Sequence, residues 1–379
     1  MHIAVLSDTM TDARVAATPE TVRKYETLGG RVSIQGGAGG GAGIADKDFE
    51  EAGARLVPDA VSAVKDADIV LAVNRPSGDI IRACKPGAIV IATMDPHRPE
   101  AGLDIMASAG VSAFAMELMP RITRAQAMDV LSSQANLSGY RAVIDASAEF
   151  TRSLPMMMTA AGTVPAAQIF VMGAGVAGLQ AIATARRLGA VVSATDVRPA
   201  AKEQVESLGA RFVAVEDEEF KAAESSGGYA KEMSKEYQAK QAELIATHIG
   251  RQDIVITTAL IPGRPAPRLV IQAMIDTMRA GSVLVDLAVE RGGNIEGSKA
   301  GEIVTTARGV KIIGNSTISK VAATASNLYA RNLYSFVSTM VDTSKSSLAI
   351  DWEDELIKST NLTRNGAVVH PAFLKATLN

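Results

Sequence analysis

The sequence predicts an α/β protein of two doubly wound domains with a deep cleft between them. Three observations predict it. Short apolar runs alternate with helical stretches along most of the chain, the pattern of a mainly parallel sheet covered by helices. Its 379 residues exceed what one hydrophobic core usually organises. Near the middle, Gln168-Ile-Phe-Val-Met-Gly-Ala-Gly-Val-Ala-Gly178 carries an apolar strand straight into a G-x-G-x-x-G turn and an Ala-rich helix.

In the first third, Ile3–Leu6, Val32–Ile34, Ile69–Val73, Ala88–Ala92 and Ala113–Met116 read as strands. Pro19–Leu28 reads as a helix. Thr18 is its N-cap, Pro19 takes the first helical position, where a missing N–H costs nothing, and Gly29-Gly30 stops it. The run Gly36-Gly-Ala-Gly-Gly-Gly-Ala-Gly43 lacks the Lys-Ser/Thr of a phosphate loop and reads as a mobile loop. From Thr123 to about Phe150 a proline-free helical stretch leaves the first domain.

The second domain opens with the glycine turn. Gly173 permits the tight turn, Gly175 lets backbone approach a pyrophosphate, and Gly178 allows close helix–strand packing. Phosphates would then rest on free N–H groups at the helix N-terminus. The next strand, Val191–Asp196, ends in a carboxylate roughly 20 residues past the turn, where a Rossmann-like fold holds the adenosine ribose. Asp196 disfavours a 2′-phosphate and so favours NAD(H) over NADP(H), while Arg198 pulls the other way. Further strands are expected at Arg211–Val215, Ile254–Thr258, Val283–Leu287 and Val310–Ile313. The polar stretch Glu216 to Gly250 is a long insertion of the kind that forms lids. A last helix, Lys320 to about Val341, returns to the first domain. The expected domains are therefore 1–133 with 320–379, and 134–319.

Bulk properties narrow the function. A formal net charge of −3 gives no reason to expect nucleic acid or an anionic membrane surface. The single cysteine, Cys84, forbids an internal disulfide and reads as a small buried hydrophobe. No basic region precedes an apolar stretch at the N-terminus, so no secretory signal is expected. Ser153 to Ala185 carries no charge and is long enough to span a bilayer, yet Pro155, Pro165 and the turn glycines interrupt it. It reads as buried strand, and the chain as soluble. Met156–Met158 reads as packing, and no Cys/His metal cluster or G-x-S-x-G nucleophile is present.

A dehydrogenase that oxidises an alcohol or amine needs a positioned base. The four histidines offer little: His2 starts a strand, His248 lies in a polar stretch read as solvated, and His370 precedes Pro371. His97, in a turn-like loop, is the one with any prospect of a site role.

Several long stretches resemble the alanine dehydrogenase superfamily. They include Pro19-Glu-Thr-Val, Gly36-Gly-Ala-Gly, Gly173-Ala-Gly-Val-Ala-Gly-Leu-Gln-Ala and Val285-Asp-Leu-Ala-Val-Glu-Arg-Gly-Gly. Met116-Glu-Leu-Met-Pro-Arg-Ile-Thr-Arg-Ala-Gln-Ala-Met-Asp-Val-Leu-Ser-Ser is similar to the active-site loop of one branch, the NAD(H)-binding components of proton-translocating nicotinamide nucleotide transhydrogenases. Where alanine dehydrogenase has a substrate Lys this chain has Asn74, and where that enzyme has a catalytic His it reads Thr93-Met94-Asp95. Hydride passage between two nicotinamides releases no substrate proton, so positioning can supply most of the catalysis.

The resemblance implies hydride exchange between NADH on this chain and NADP(H) on a partner beta subunit, coupled to proton movement through a membrane-spanning partner. It implies a homodimer held peripherally at the cytoplasmic face. Arg121, Gln126, Asp129 and Ser132 would form the loop around the dihydronicotinamide, with Ile122 and Thr123 beside them. Gln126 would hold the ring region, Arg121 and Asp129 would steady the loop and nicotinamide-side ribose or phosphate, and Ser132 would contact the carboxamide. Val176, Asp196, Val197, Arg198, Gly228, Gln241 and Leu260 would line the rest of the site, with Tyr229 at the tip of a lid. Two rivals stand: a soluble alanine-type amino-acid dehydrogenase, and a non-catalytic NAD(H)-binding regulatory subunit.

Overall fold

The structure is a computed structural model that describes residues 1–8, 12–98, 102–221, 233–260 and 263–374. It divides into two compact units, Met1–Gln134 with Ser319–Asn379, and Ala135–Ile318. Among the described residues five helices reach nine residues or more: α1 (Pro19–Thr27), α2 (Val130–Glu149), α3 (Val176–Arg187), α4 (Lys235–Ile249) and α5 (Ala322–Ser338).

The first unit is built on six parallel strands: β1 (His2–Val5), β2 (Arg31–Gln35), β3 (Arg55–Val57), β4 (Ile69–Asn74), β5 (Ile89–Thr93) and β6 (Ser112–Ala115). Their order is β3-β2-β1-β4-β5-β6, every adjacent pair parallel. The chain starts mid-sheet and doubles back, which is the doubly wound topology. An antiparallel hairpin, Asn361–Arg364 and Ala367–Val368, extends the β6 edge. The central strands read as unbroken apolar runs because both faces are covered. On one face Tyr25 of α1 and Tyr329, Leu333 and Phe336 of α5 pack with Ile3, Ile69 and Phe114. On the other, Val70 and Val90 meet Ile81 and Met106. Helix α1 is capped as expected, Thr18 and Thr21 exchanging backbone and hydroxyl bonds at 2.8 and 3.4 Å.

A two-stranded hairpin, β7 (Met157–Thr159) and β8 (Gly162–Val164), belongs to the second unit. That unit's sheet holds β9 (Gln168–Met172), β10 (Val191–Thr195), β11 (Arg211–Phe212), β12 (Ile254–Thr257), β13 (Val283–Asp286), β14 (Ile303–Thr305) and β15 (Lys311–Ile313). The order is β11-β10-β9-β12-β13-β15-β14, parallel apart from the β14 edge. Here too the chain reverses beside the first strand, between β9 and β12. No helix among the described residues is long and apolar enough to cross a membrane; the uncharged run 153–185 becomes the hairpin, β9 and α3.

Four expectations are corrected. Met156–Met158 do not pack inward; they stand on and beside the hairpin with Met158 81% exposed. The glycine run 36–43 is not a plain loop: it carries a 3₁₀ turn, Gly40–Ala42, closed at Gly41, where a Cβ would lie 2.6 Å from the Ala13 carbonyl oxygen, and open at Gly37, Gly40 and Gly43. Nearly half of the insertion 216–250 is helix α4, capped by Ser234 and seated through Tyr237, Ile245 and Ile249. His248 is not solvated: its ring meets Phe170 edge-on at 4.7 Å and its Nε2 lies 2.8 Å from the Ser193 hydroxyl. Cys84 is buried, as expected, and burial pushes its thiol up to about 11, which rules out ready ionisation.

Burial, reinforced by the Arg211 and Arg251 charges, holds the His248 imidazole below its ordinary value. Protonation is therefore harder in the folded than in the unfolded chain. The associated stability is present above the unfolded-state value of about 6.5 and is lost as pH falls from there toward the folded value. His370 is also held low, by burial first. We expect denaturant midpoints to drop between about pH 7.5 and about pH 5.5, and His248→Gln to flatten that slope. An identical slope in the variant would remove His248 as its source.

Candidate functional site

At the C-terminal end of β9 the chain turns through Gly173, whose φ of +105° is open to glycine and costly for other residues. A Cβ there would lie 2.5 Å from the Thr258 hydroxyl, and one on Gly178 would lie 1.8 Å from the Gly173 carbonyl oxygen. Three bonds pin the turn. Gly173 N–H donates to the Thr195 carbonyl, Ala174 N–H to the Asp196 carboxylate, and the Thr258 hydroxyl to the Gly173 carbonyl, at 2.8, 2.7 and 3.1 Å. Gly175 is the N-cap of α3, with no side chain on the first N–H groups and open space where its Cβ would be. A helix N-terminus left this way is an anion site.

The Asp196 side chain is buried, and its carboxylate oxygens are taken internally. One oxygen receives Ala174 N–H and an Arg198 Nη2 bond of 3.0 Å; the other receives Arg198 N–H and Nε, both at 2.9 Å. The pair holds the Arg198 guanidinium above its ordinary value. Gln241, on α4, accepts from Val215 N–H at 2.8 Å and donates to the Thr195 hydroxyl at 3.2 Å, so it binds the end of β10 to the segment after β11. Val176, Val197 and Leu260 follow the ends of β9, β10 and β12, three neighbouring strands, and all three remain exposed. The segment carrying Leu260 is clamped by fully buried Asn294, which donates to the Ala259 and Pro267 carbonyls and accepts from Ala259 N–H. Gly228 and Tyr229 lie outside the described residues.

In the first unit, Arg121, Ile122, Thr123, Gln126, Asp129 and Ser132 fall on one segment, a 3₁₀ turn (Thr123–Met128) running into α2. Asp129 caps α2: its carboxylate accepts from Ser132 N–H at 2.9 Å and the Ser132 hydroxyl at 2.5 Å. Arg124 makes two 2.7 Å bonds to Asp354, and these hold the Asp354 carboxyl below the usual carboxylate range. The Ala127 carbonyl accepts from Asn332 of α5 at 2.8 Å. Gln126 is exposed on this braced turn, and Arg121 is exposed two residues before it.

Behind the turn runs a polar chain of which the sequence had singled out only Asn74. Arg14 meets Asp12 through Nε and Nη2 (3.0 and 2.6 Å) and Gln134 through Nη1 (2.9 Å). Asn74 reaches Asp12 at 3.4 Å and donates its N–H to Asp8 at 2.9 Å. Burial works to raise the Asp12 carboxyl, but the bonds and charge of Arg14 outweigh it and leave it low; burial does raise Asp8. At the end of β5, Glu117 accepts from the N–H groups of Met94 and Asp95. Burial raises the Glu117 carboxyl against those bonds. The one available signal for the chain was the spacing Ala325, Ser326, Tyr329, Asn332 on one face of α5. His97 meets Phe373 edge-on at 5.0 Å and takes no part in these hydrogen bonds. Among the described residues no group of three His, Cys, Asp or Glu could hold a metal ion.

Family models for the N-terminal and C-terminal domains of alanine dehydrogenase/PNT match residues 7–138 and 142–371. An NAD(P) transhydrogenase alpha subunit of Rhodospirillum rubrum is 52% identical over 366 residues, 95% of each chain. The alanine dehydrogenase of Mycobacterium tuberculosis is 30% identical, covering 79% of this chain and 75% of that one. Among solved structures, a transhydrogenase from Sinorhizobium meliloti superposes with a TM-score of 0.88 at 58% identity, covering 97% of this chain and 100% of that one.

Proposed function

The chain belongs to the alanine dehydrogenase/PNT family, and from that premise we propose that it is the NAD(H)-binding component of a proton-translocating transhydrogenase. NADH, when bound, supplies a hydride from its nicotinamide to NADP⁺ held on a partner beta subunit. The observation that carries the binding half is the uncapped N-terminus of α3 behind Gly173 and Gly175, at the point where the second sheet reverses. The free N–H groups of α3 would hold the pyrophosphate. Exposed Val176, Val197 and Leu260 offer apolar cover for a flat base. Asp196 would take the adenosine ribose by giving up one of its bonds to Arg198.

Direct hydride exchange, rather than amino-acid oxidation, is supported by what stands at two strand ends. Neutral Asn74 is tied to Asp8 and Asp12, which offers no cation to a substrate carboxylate. Glu117 spends its oxygens on backbone N–H groups beside Thr93. Gln126, exposed on a turn braced on three sides, would hold the dihydronicotinamide beside the partner's ring. Arg121 and Asp129 would steady that turn, with Ser132 toward the carboxamide. A homodimer docked through partner subunits at the cytoplasmic membrane face, coupled to proton movement in a membrane-spanning partner, completes the proposal. The exposed methionines of the β7–β8 hairpin favour protein contact there.

The test reconstitutes the chain with an NADP(H)-binding transhydrogenase subunit and follows hydride transfer between nucleotide analogues. Gln126→Asn should slow transfer by about tenfold or more, since small misplacements cost that much, with NADH affinity nearly unchanged. Unaltered transfer in that variant would strip Gln126 of its role. Saturable turnover of a keto acid and ammonia by the chain alone would replace the whole proposal with the dehydrogenase reading.

A further inference from the structure

We propose that Asn332, remote in sequence from the 123–128 turn, is the positioning residue that sets where Gln126 points; this rests on the role proposed above for Gln126. Asn332 is 7% exposed and sits on the buried face of α5. Its amide is used at both ends. Nδ2 donates to the Ala127 carbonyl at 2.8 Å, and Oδ1 accepts from the Ser133 hydroxyl at 2.8 Å. The orientation has no alternative, because the Ala127 carbonyl can only accept and a flipped amide would set oxygen against oxygen. Ser133 in turn accepts from Gln134 Nε2 at 3.2 Å, which also donates to the Ala325 carbonyl, and Gln134 Oε1 accepts from Arg14.

A continuous chain thus runs from the Asp12–Arg14 ion pair to the residue that follows Gln126. Each member from Gln134 to Asn332 uses both its donor and acceptor sides, the Ser133 hydroxyl facing the Val130 carbonyl at 3.2 Å as well as Asn332 Oδ1 at 2.8 Å. Such fully satisfied buried networks rigidify what they touch. Through this network α5 grips the turn at the Ala127 carbonyl, one peptide from Gln126. Arg124, by contrast, is bound to Asp354 at a half-exposed site where ion pairs contribute little. Removing the Asn332 amide leaves Ala127 without its donor and lets the 3₁₀ turn rotate about its ends. The Asp129 cap remains, so α2 itself persists.

The test uses the full chain with and without its NADP(H)-binding partner. In Asn332→Leu, single-turnover hydride transfer should fall about tenfold, the scale of a slightly misplaced group, while the NADH dissociation constant stays within about twofold. Amide exchange at Ala127 and Met128 should quicken in the free chain, a readout that needs no activity. Ser133→Ala should reproduce a smaller share of both effects, and Ser133→Thr, which keeps the hydroxyl, should restore them; this pair carries the test if Asn332→Leu does not fold. Unchanged exchange, or quickened exchange with wild-type transfer, overturns the proposal. Absence of transfer in the wild-type chain strikes the functional reading instead, and the positioning role falls with it.

Discussion

Gly178→Ala should abolish useful nucleotide binding and lower stability together. A methyl at 178 meets the Gly173 carbonyl oxygen at 1.8 Å and its carbon at 2.8 Å, distances no side-chain adjustment relieves because the obstacle is backbone. Gly173 cannot retreat. Its φ is +105°, its own Cβ position is closed by the Thr258 hydroxyl, and its N–H and carbonyl are both bonded. Either α3 slides away from β9 or the turn opens, and both displace the N–H groups at the head of α3. Overpacking of this kind costs about 3 kcal/mol or more, which for a domain of this size lowers the melting temperature by roughly 6–12 °C. NADH affinity should fall by about two orders of magnitude, because the anion site depends on aligned N–H groups. Scanning calorimetry and a fluorescence titration with NADH check both numbers. Native-like affinity in the variant would mean that the glycine turn does not hold the nucleotide.

Asp196→Asn should invert the nucleotide preference rather than merely weaken binding. The amide oxygen still accepts from Ala174 N–H, so the turn keeps its 2.7 Å support. What disappears is the charge that occupies Arg198 through Nε and Nη2. A released guanidinium is a bidentate phosphate binder, and the position lies where a 2′-phosphate would sit if the ribose is held as proposed. We expect NADPH to gain and NADH to lose, shifting the affinity ratio by about 100-fold, equivalent to about 2.7 kcal/mol. The gain should shrink with added salt, as exposed charge–phosphate attraction does. Paired titrations at low and high ionic strength decide it, and an unshifted ratio would show that Asp196 does not discriminate.

The elements of the fold that were legible in the sequence share one property: their signal is local. Apolar runs such as Ile69–Val73 and Val283–Leu287 announce strands buried on both faces, and Thr18-Pro19 announces a helix start whatever lies nearby. What escaped depends on partners distant in the chain. The edge strands Arg55–Val57 and Ile303–Thr305 are three residues long, too short for periodicity to register, and exist through their neighbours' ladders. The glycine run 36–43 looks open until Ala13 and Phe49 are packed against it. Helix α4 was hidden in a polar insertion because it buries only Tyr237, Ile245 and Ile249 of its fifteen residues.

The candidate site divides along the same line. Glycine spacing and the acid at the end of the second strand are chain-local consequences of steric limits, so the turn around Gly173 and the place of Asp196 could be read in advance. That Arg198 saturates the Asp196 carboxylate required side-chain geometry. So did the link from Arg14 through Gln134 to Asn332, whose members lie at opposite ends of the chain. By itself the sequence determined where backbone conformation is forced, at glycines, caps and continuous apolar strands, because excluded volume and burial act over a few neighbouring residues. Only tertiary structure decided which polar groups are spent on one another, because a hydrogen bond's partner is chosen by proximity in space.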